Sequence, residues 1–214
     1  RAGFIGKIAD DDLGRVFGAD MDKVGVGFHP GATSATEPTG RCIIAVTPDG
    51  QRSMSTFLGA ASLLEPADIS REAVQSGAVL FLEGYLFDRD EAKAAFKTAS
   101  QFAHEAGRKV ALTLSDSFCV DRHRDDFLDL ILNDIDVLFC NAGVYGKRAP
   151  GAGAVDYESW AEVLRVNVMA PMACVEALVG NVAASDRRQI VMMSSRLGSI
   201  GLNATGGEVV YRSS

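Results

Sequence analysis

The strongest constraint on the fold is a repeated alternation of short apolar runs with longer segments of helical period. Ala78–Leu82, Val110–Leu114 and Ile135–Cys140 are too short for helices and apolar almost throughout, as strands buried on both faces must be. Between the first two, Ala92, Ala95, Phe96, Ala99, Phe102, Ala103 and Ala106 recur every three or four positions and stop at Gly107. Phe118 to Leu132 reads as a further helix before the third run. Parallel strands need a crossover, and a helix is its usual form. The pattern therefore predicts an α/β fold, a parallel doubly wound, Rossmann-like three-layer sheet.

The flanks add detail. Gly3–Ile8 is strand-like and breaks at Ala9-Asp10-Asp11-Asp12, after which Leu13, Val16, Phe17 and Met21 keep a helical spacing. Gly25–Gly40 is rich in Gly, Pro, Thr and Ser and reads as loop or short irregular strands. Arg41–Thr47 and Arg52–Phe57 flank Pro48-Asp49-Gly50-Gln51, which predicts a β-hairpin over residues 41–57. Beyond Asn141 come a Gly, Ala and Pro-rich loop (Gly143–Gly153) and a long amphipathic segment. The latter has Trp160, Val163, Leu164, Val168, Val175, Leu178 and Val182 on one side. A strand at Ile190–Met193 and a polar loop at Ser194–Gly207 close the pattern.

Composition narrows the function classes. With 21 Lys and Arg against 28 Asp and Glu the net charge is −7, spread along the chain, which argues against nucleic acid or an anionic membrane as partner and favours small molecules. Uninterrupted apolar stretches are far shorter than the ~20 residues that cross a bilayer, and no signal-like segment opens the chain, so a cytoplasmic protein is expected. Cys42, Cys119, Cys140 and Cys174 are widely spaced with no histidine at ligand spacing, so no metal site is expected and the thiols are expected to be free and buried. His29, His104 and His123 read as solvated or capping residues. The first residue is Arg1, inside a strand-like run, and Ser214 falls in a helical first turn, so the chain is expected to be a piece of something longer.

Three groups of residues carry a family likeness in the first part. They are Gly3-Phe4-Ile5-Gly6-Lys7-Ile8 with Asp10-Asp11-Asp12-Leu13-Gly14, Pro38-Thr39-Gly40-Arg41-Cys42 leading into the hairpin, and Phe57-Leu58-Gly59-Ala60 followed by Phe81-Leu82-Glu83-Gly84-Tyr85. In order and spacing residues 1–139 resemble the PfkB, ribokinase-like, sugar and nucleoside kinases. The resemblance implies that the hairpin is a small lid, that ATP with Mg is the phosphoryl donor, and that Asp11, Gly59 and Glu83 face the hydroxyls of the acceptor. Asp11 is equally a helix N-cap by position. Glu83 closes a buried strand at the sheet's mouth, where α/β proteins keep ligands. Phosphoryl transfer also needs a base and donors around the transferred group, which the family supplies with a Gly-Ala-Gly-Asp signature. That signature is missing: Gly151-Ala152-Gly153 is followed by Ala154. The family's Asn-x-x-Glu pattern is broken as well, Asn141 being followed by Ala142, Gly143 and Val144.

From about Asp136 the chain resembles the short-chain dehydrogenases/reductases, in particular their C-signal-like branch. The matching residues are Cys140-Asn141-Ala142-Gly143, Asn167 within Arg165-Val166-Asn167-Val168, Ser194-Ser195, and Tyr211-Arg212-Ser213-Ser214. The resemblance implies a cofactor turn at Asn141 and Gly143 for NAD(P), and a catalytic set of Tyr211 for proton transfer, Ser195 for orienting the substrate oxygen and Asn167 for a water relay. Alone, Ser195 is an ordinary loop hydroxyl and Tyr211 a helix-start aromatic. The glycine fingerprint for a dinucleotide is absent, and the sequence ends at Ser214, where the Lys of the Tyr motif should come next. The expectation is a chimera-like chain: a partial kinase domain over 1–139, a partial reductase segment over 140–214, and neither catalytic set complete. A join within the shared strand would preserve a continuous sheet, and unpartnered apolar surface would promote self-association.

Overall fold

A computed structural model describes residues 2–115, 117–147, 153–184, 190–199, 201–202 and 209–214. The chain divides into two compact units, Arg1–Ile135 and Asp136–Ser214.

In the first unit, β1 (Gly3–Gly6) and β2 (Gly27–Pro30) pair in parallel, and the helix between them, α1 (Asp12–Lys23), is their crossover. Phe4, Phe17 and Phe28 form a ring cluster with centroids 5.2–6.1 Å apart, which fixes α1 on this pair. The hairpin strands β3 (Arg41–Val46) and β4 (Arg52–Phe57) are antiparallel and joined through a Thr47–Gln51 turn in which Gly50 has φ +84°. α2 (Arg71–Ser76) begins at the N-cap Ser70. β5 (Val79–Glu83) and β6 (Lys109–Thr113) form the second parallel pair, crossed over by α3 (Asp90–Glu105). The alanine and phenylalanine stripe of α3 is its buried face: Ala92, Ala95, Phe96, Ala99 and Ala103 are inside, packed with Leu82, Phe87, Val110, Phe127 and Leu130. Phe87 and Phe127 stack at 4.0 Å.

One expectation is met in part here and one changes. The region 25–40, read as loop or short irregular strands, holds a short strand that pairs with β1 in parallel; a four-residue strand rich in Gly and Pro has no period of its own to mark its place. The helix expected over 118–132 is two helices, α4 (Ser117–Arg122) and α5 (Arg124–Asp134). The break at His123 follows from tertiary bonds: Asp88 accepts from Arg122 at 2.9 and 3.0 Å and holds the His123 ring at 2.8 Å.

In the second unit, β7 (Leu138–Cys140) pairs in parallel with β8 (Ile190–Met192). Their crossover is a 28-residue helical run, Tyr157–Ala184, made of α6 (Tyr157–Leu164), a π-helical turn (Arg165–Met169) and α7 (Ala170–Ala184). Pro171 explains the wide turn: it has no N–H to offer one turn back, and the Ala170 N–H reaches Arg165 O instead. A last turn, α8 (Val209–Arg212), carries Tyr211.

Three expectations are corrected in this picture. The continuous sheet is not formed among the described residues: the strands make four two-stranded ladders, three of them parallel. Short apolar runs did not anticipate a helix of 28 residues that is long and apolar enough, by length and composition, to cross a bilayer. Its expected inward side is Val163, fully buried, and Leu164, Val175, Leu178 and Val182, half-buried, while Val168 and the neighbouring Met169 and Met172 are exposed. The four thiols are free, but only Cys119 is buried; Cys42 and Cys174 are exposed and Cys140 is half-buried.

Candidate functional site

The carboxyl ends of β1 and β2 open into a cleft of about 390 Å³ lined by Lys7, Thr33, Ser34, Thr36, Glu65 and Arg89 among others. Its floor is set by an ion pair that the sequence does not announce. Lys7 leaves the apolar end of β1, its side chain 7% exposed, and donates to Asp68 at 2.7 Å and to Glu65 at 3.4 Å. Burial pulls the Lys7 pKa down, but the Asp68 and Glu65 carboxylates outweigh it and hold the ammonium above its ordinary value. Asp68 also accepts from the backbone N–H groups of Ala32 and Glu65, so one carboxylate ties β1, the segment after β2 and the turn before α2 together. Arg89 is likewise paired, with Glu91 at 3.7 Å. A lysine inside an apolar run was the one available signal, since a charge there must find a partner.

Beside this cleft lies the base of the hairpin, where Asp11 and Gly59 sit. Asp11 is the N-cap of α1: its Oδ1 accepts from Gly14 N at 2.8 Å and from the Thr39 hydroxyl at 2.7 Å, and its Oδ2 accepts from Thr39 N at 2.8 Å. The Thr39 hydroxyl in turn accepts from Ala9 N. Of the two readings open for Asp11, this geometry is that of the cap, extended to clamp the strand leading into β3. The Thr39 hydroxyl, the Thr39 N–H and the Gly14 N–H lower its pKa to about 2. The stabilisation is therefore complete above the ordinary carboxylate pKa of 3.8 and is lost as pH falls from there to about 2. An acid titration of unfolding should show this loss in the wild type and a smaller slope over the same range in Asp11→Asn; identical slopes would rule the cap out as its source.

Gly59 is buried with φ +49°, and Ala60 N donates to Pro38 O at 2.8 Å, so the entry to β3 and the exit of β4 cross at this point. Beyond the crossing both hairpin strands are exposed along their whole length. Glu83 is exposed at the carboxyl end of β5, opposite Thr113, and Gly84 after it packs so closely that a Cβ would lie 2.9 Å from Leu114 O. The structure thus gathers Asp11 and Gly59 at one neck, and places Glu83 at the carboxyl end of a different strand pair.

In the second unit Asn167 lies within the π-helical turn, where it donates to Val144 O at 3.0 Å and accepts from Val144 N at 2.9 Å. It therefore holds the turn that contains Asn141 and Gly143, and it donates to Ser214 Oγ as well. Ser195 caps a short 3-10 turn by accepting from Leu197 N. The Tyr211 ring stacks on Tyr145 at 4.0 Å. Tyr145 was not singled out from the sequence, and nothing in its spacing marks it.

Of the two implied cofactors, NAD(P) is the one this donor set does not fit, whereas a Mg ion that travels with ATP draws most of its ligands from phosphate and water rather than from a cage of side chains. Among the described residues no three His, Cys, Asp or Glu side chains gather where a metal ion could sit, and both cleft cations are already paired. The Gly-Ala-Gly-Ala stretch that stands in place of the kinase signature lies partly outside the described residues. The nicotinamide reading has no glycine-rich turn after β1 on which a pyrophosphate could rest.

Comparison with known proteins agrees with the first of the two likenesses. The model of the pfkB family of carbohydrate kinases matches residues 1–143, two thirds of the sequence. The chain belongs to this family. Among solved structures it is similar to an adenosine kinase from Sinorhizobium meliloti, at 45% identity and a TM-score of 0.60, over 65% of this chain and 43% of that one. A probable sugar kinase from Rhizobium etli gives 42% identity and a TM-score of 0.60, over 65% of this chain and 42% of that one. The C-signal protein of Myxococcus xanthus is 34% identical over 80 residues, which is 37% of this chain and 48% of that protein. The chain thus spans less than half the length of each of these relatives.

Proposed function

We propose that residues 1–139 bind a small, neutral, polyhydroxylated molecule, a sugar or a nucleoside, as the acceptor-side part of an ATP-dependent kinase domain. The observation that carries this reading is the charge balance of the cleft. Lys7 is neutralised by Asp68 and Glu65 and Arg89 by Glu91, while Thr33, Ser34 and Thr36 add hydroxyls. Such a lining exchanges hydrogen bonds with a polyol in both directions, whereas a phosphorylated ligand needs an unpaired cation. In this reading the β3–β4 hairpin covers the acceptor, Glu83 accepts from its hydroxyls, and Asp11 and Gly59 hold the hairpin at its base. The names of the relatives, a sugar kinase and an adenosine kinase, support the same class of acceptor.

The chain as it stands is expected to bind without transferring phosphate, because the Gly-Ala-Gly-Asp signature and the Asn-x-x-Glu pattern are both broken in its sequence. Calorimetric titration with adenosine, ribose and fructose should give saturable binding to at least one of them. Glu83→Ala should weaken that binding about tenfold, the loss of one charge-assisted hydrogen bond, with the melting temperature unchanged. No binding across the panel overturns the acceptor reading. ADP formation with any bound acceptor overturns the inert one.

For residues 140–214 the two-way clasp of Val144 by Asn167 favours the reductase likeness, as a segment that keeps that family's turn. In that reading Asn141 and Gly143 form the turn, and Asn167, Ser195 and Tyr211 are remnants of a proton-handling set. No nicotinamide chemistry is assigned to them.

A further inference from the structure

β5 and β6 end together, with Glu83 opposite Thr113, and the residues that follow each strand are locked to the other. A Cβ on Gly84 would lie 2.9 Å from Leu114 O and 3.0 Å from Thr113 O, so the two segments touch backbone to backbone. The Cys119 thiol of α4 donates to Gly84 O at 3.3 Å and ties a third segment to this corner. Two residues past Thr113 stands Ser115, with φ +70°, the one residue other than glycine in the left-handed region among the described residues. A residue with a Cβ enters that region at a cost, and the strain persists only where the surroundings impose it. The side chain adds a second cost. Ser115 Oγ is buried without a hydrogen-bond partner among the described residues, although its own N–H reaches the Thr113 hydroxyl at 3.4 Å. A glycine at this position would remove both costs, yet a serine stands there.

Strain of this kind collects at binding sites, and this instance lies at the carboxyl ends of two parallel strands, where α/β proteins take their ligands. Glu83, at the same strand ends, is exposed and its carboxylate offers acceptors only. A polyol needs a donor beside it. We propose that the Ser115 hydroxyl is a binding group for the polyhydroxylated acceptor, the donor that works alongside Glu83; the inference rests on the acceptor reading given above. Rotation about χ1 carries the hydroxyl from its buried position to the strand ends. There it donates to a ligand hydroxyl that itself donates to Glu83. The left-handed turn is then retained because it aims a hydroxyl that glycine cannot supply.

The test compares the whole chain with Ser115→Gly and Ser115→Ala, by thermal unfolding without ligand and by calorimetric titration with adenosine, ribose and fructose. Ser115→Gly relieves the strain and the unpartnered hydroxyl, so its melting temperature should rise by about 3 °C. Both variants should bind the acceptor about fivefold more weakly, the loss of one neutral hydrogen bond. Stability and affinity then move in opposite directions, which a residue that only supports the fold does not produce. Ser115→Ala separates loss of the hydroxyl from loosening of the turn, because alanine keeps the backbone stiff. A melting temperature of Ser115→Gly at or below that of the wild type overturns the proposal, since the hydroxyl would then be bonded within the unliganded protein. Wild-type affinity in either variant overturns it too. If the wild type itself binds none of the three ligands, the acceptor reading fails and this inference fails with it.

Discussion

Gly59→Ala is expected to destabilise the first unit by about 3 kcal/mol, lowering the melting temperature by roughly 6–12 °C. Backbone conformation and steric contact both contribute. The φ of +49° is in the left-handed region, which an alanine enters at a cost of about 1 kcal/mol. The contact costs more: a Cβ at this position would lie 2.2 Å from Pro38 O and 3.1 Å from Gly40 N, both backbone atoms of the crossing strand. Neither can turn aside as a side-chain tip would, so the base of the hairpin must open. Gly50→Ala is the control. It has φ +84° with nothing within 4 Å, so an alanine there meets the unfavourable backbone conformation without the clash. Thermal unfolding by circular dichroism should rank Gly59→Ala well below Gly50→Ala. Equal losses would mean that the crossing relaxes freely and that Gly59 has no positioning role.

The other large effect is expected at Lys7. Lys7→Met should cost about 3–5 kcal/mol, the range for removing one partner from a buried pair. It leaves the Asp68 carboxylate, 1% exposed, with only the N–H groups of Ala32 and Glu65 for company. Adding Asp68→Asn removes the stranded charge while keeping an acceptor for Ala32, so the double variant should recover part of the loss. Urea denaturation measures both. If the single variant matches Arg15→Met, whose ion pairs with Asp10 and Asp12 are exposed and worth less than about 1 kcal/mol, the pair at the cleft floor is not holding the segments together.

These two positions also show what sequence reasoning could reach. Gly59 stood out as part of the Phe57-Leu58-Gly59-Ala60 likeness, but its reason, the carbonyl of Pro38 pressed against it, lies twenty-one residues upstream. Lys7 stood in the Gly3–Ile8 likeness as a charge in an apolar run, but its partner Asp68 sits in a short turn with no pattern of its own. Asp11 was legible as a cap because capping is local, three residues from Asp11 to Gly14. Its second bond, to Thr39, was not legible, because it spans twenty-eight. The same division holds in the second unit. Asn167 was legible as part of the Arg165-Val166-Asn167-Val168 likeness, yet the Val144 backbone it clasps and the Tyr145 ring under Tyr211 come from distant residues.

What the sequence determined by itself was everything written in its short-range periods. The alternation of two-faced apolar runs with helical stripes, the Asp-Gly turn between β3 and β4, and the buried face of α3 each depend on neighbours within a turn or a pleat. The tertiary structure decided the rest. It made a parallel strand of 27–30, broke the helix at His123 and divided the strands into separate ladders. It also chose which of several carboxylates neutralises Lys7. Those outcomes depend on contacts between segments tens of residues apart, whose free energy exists only once both segments have a place. A linear pattern fixes which residues must be buried or paired, and only packing fixes with what.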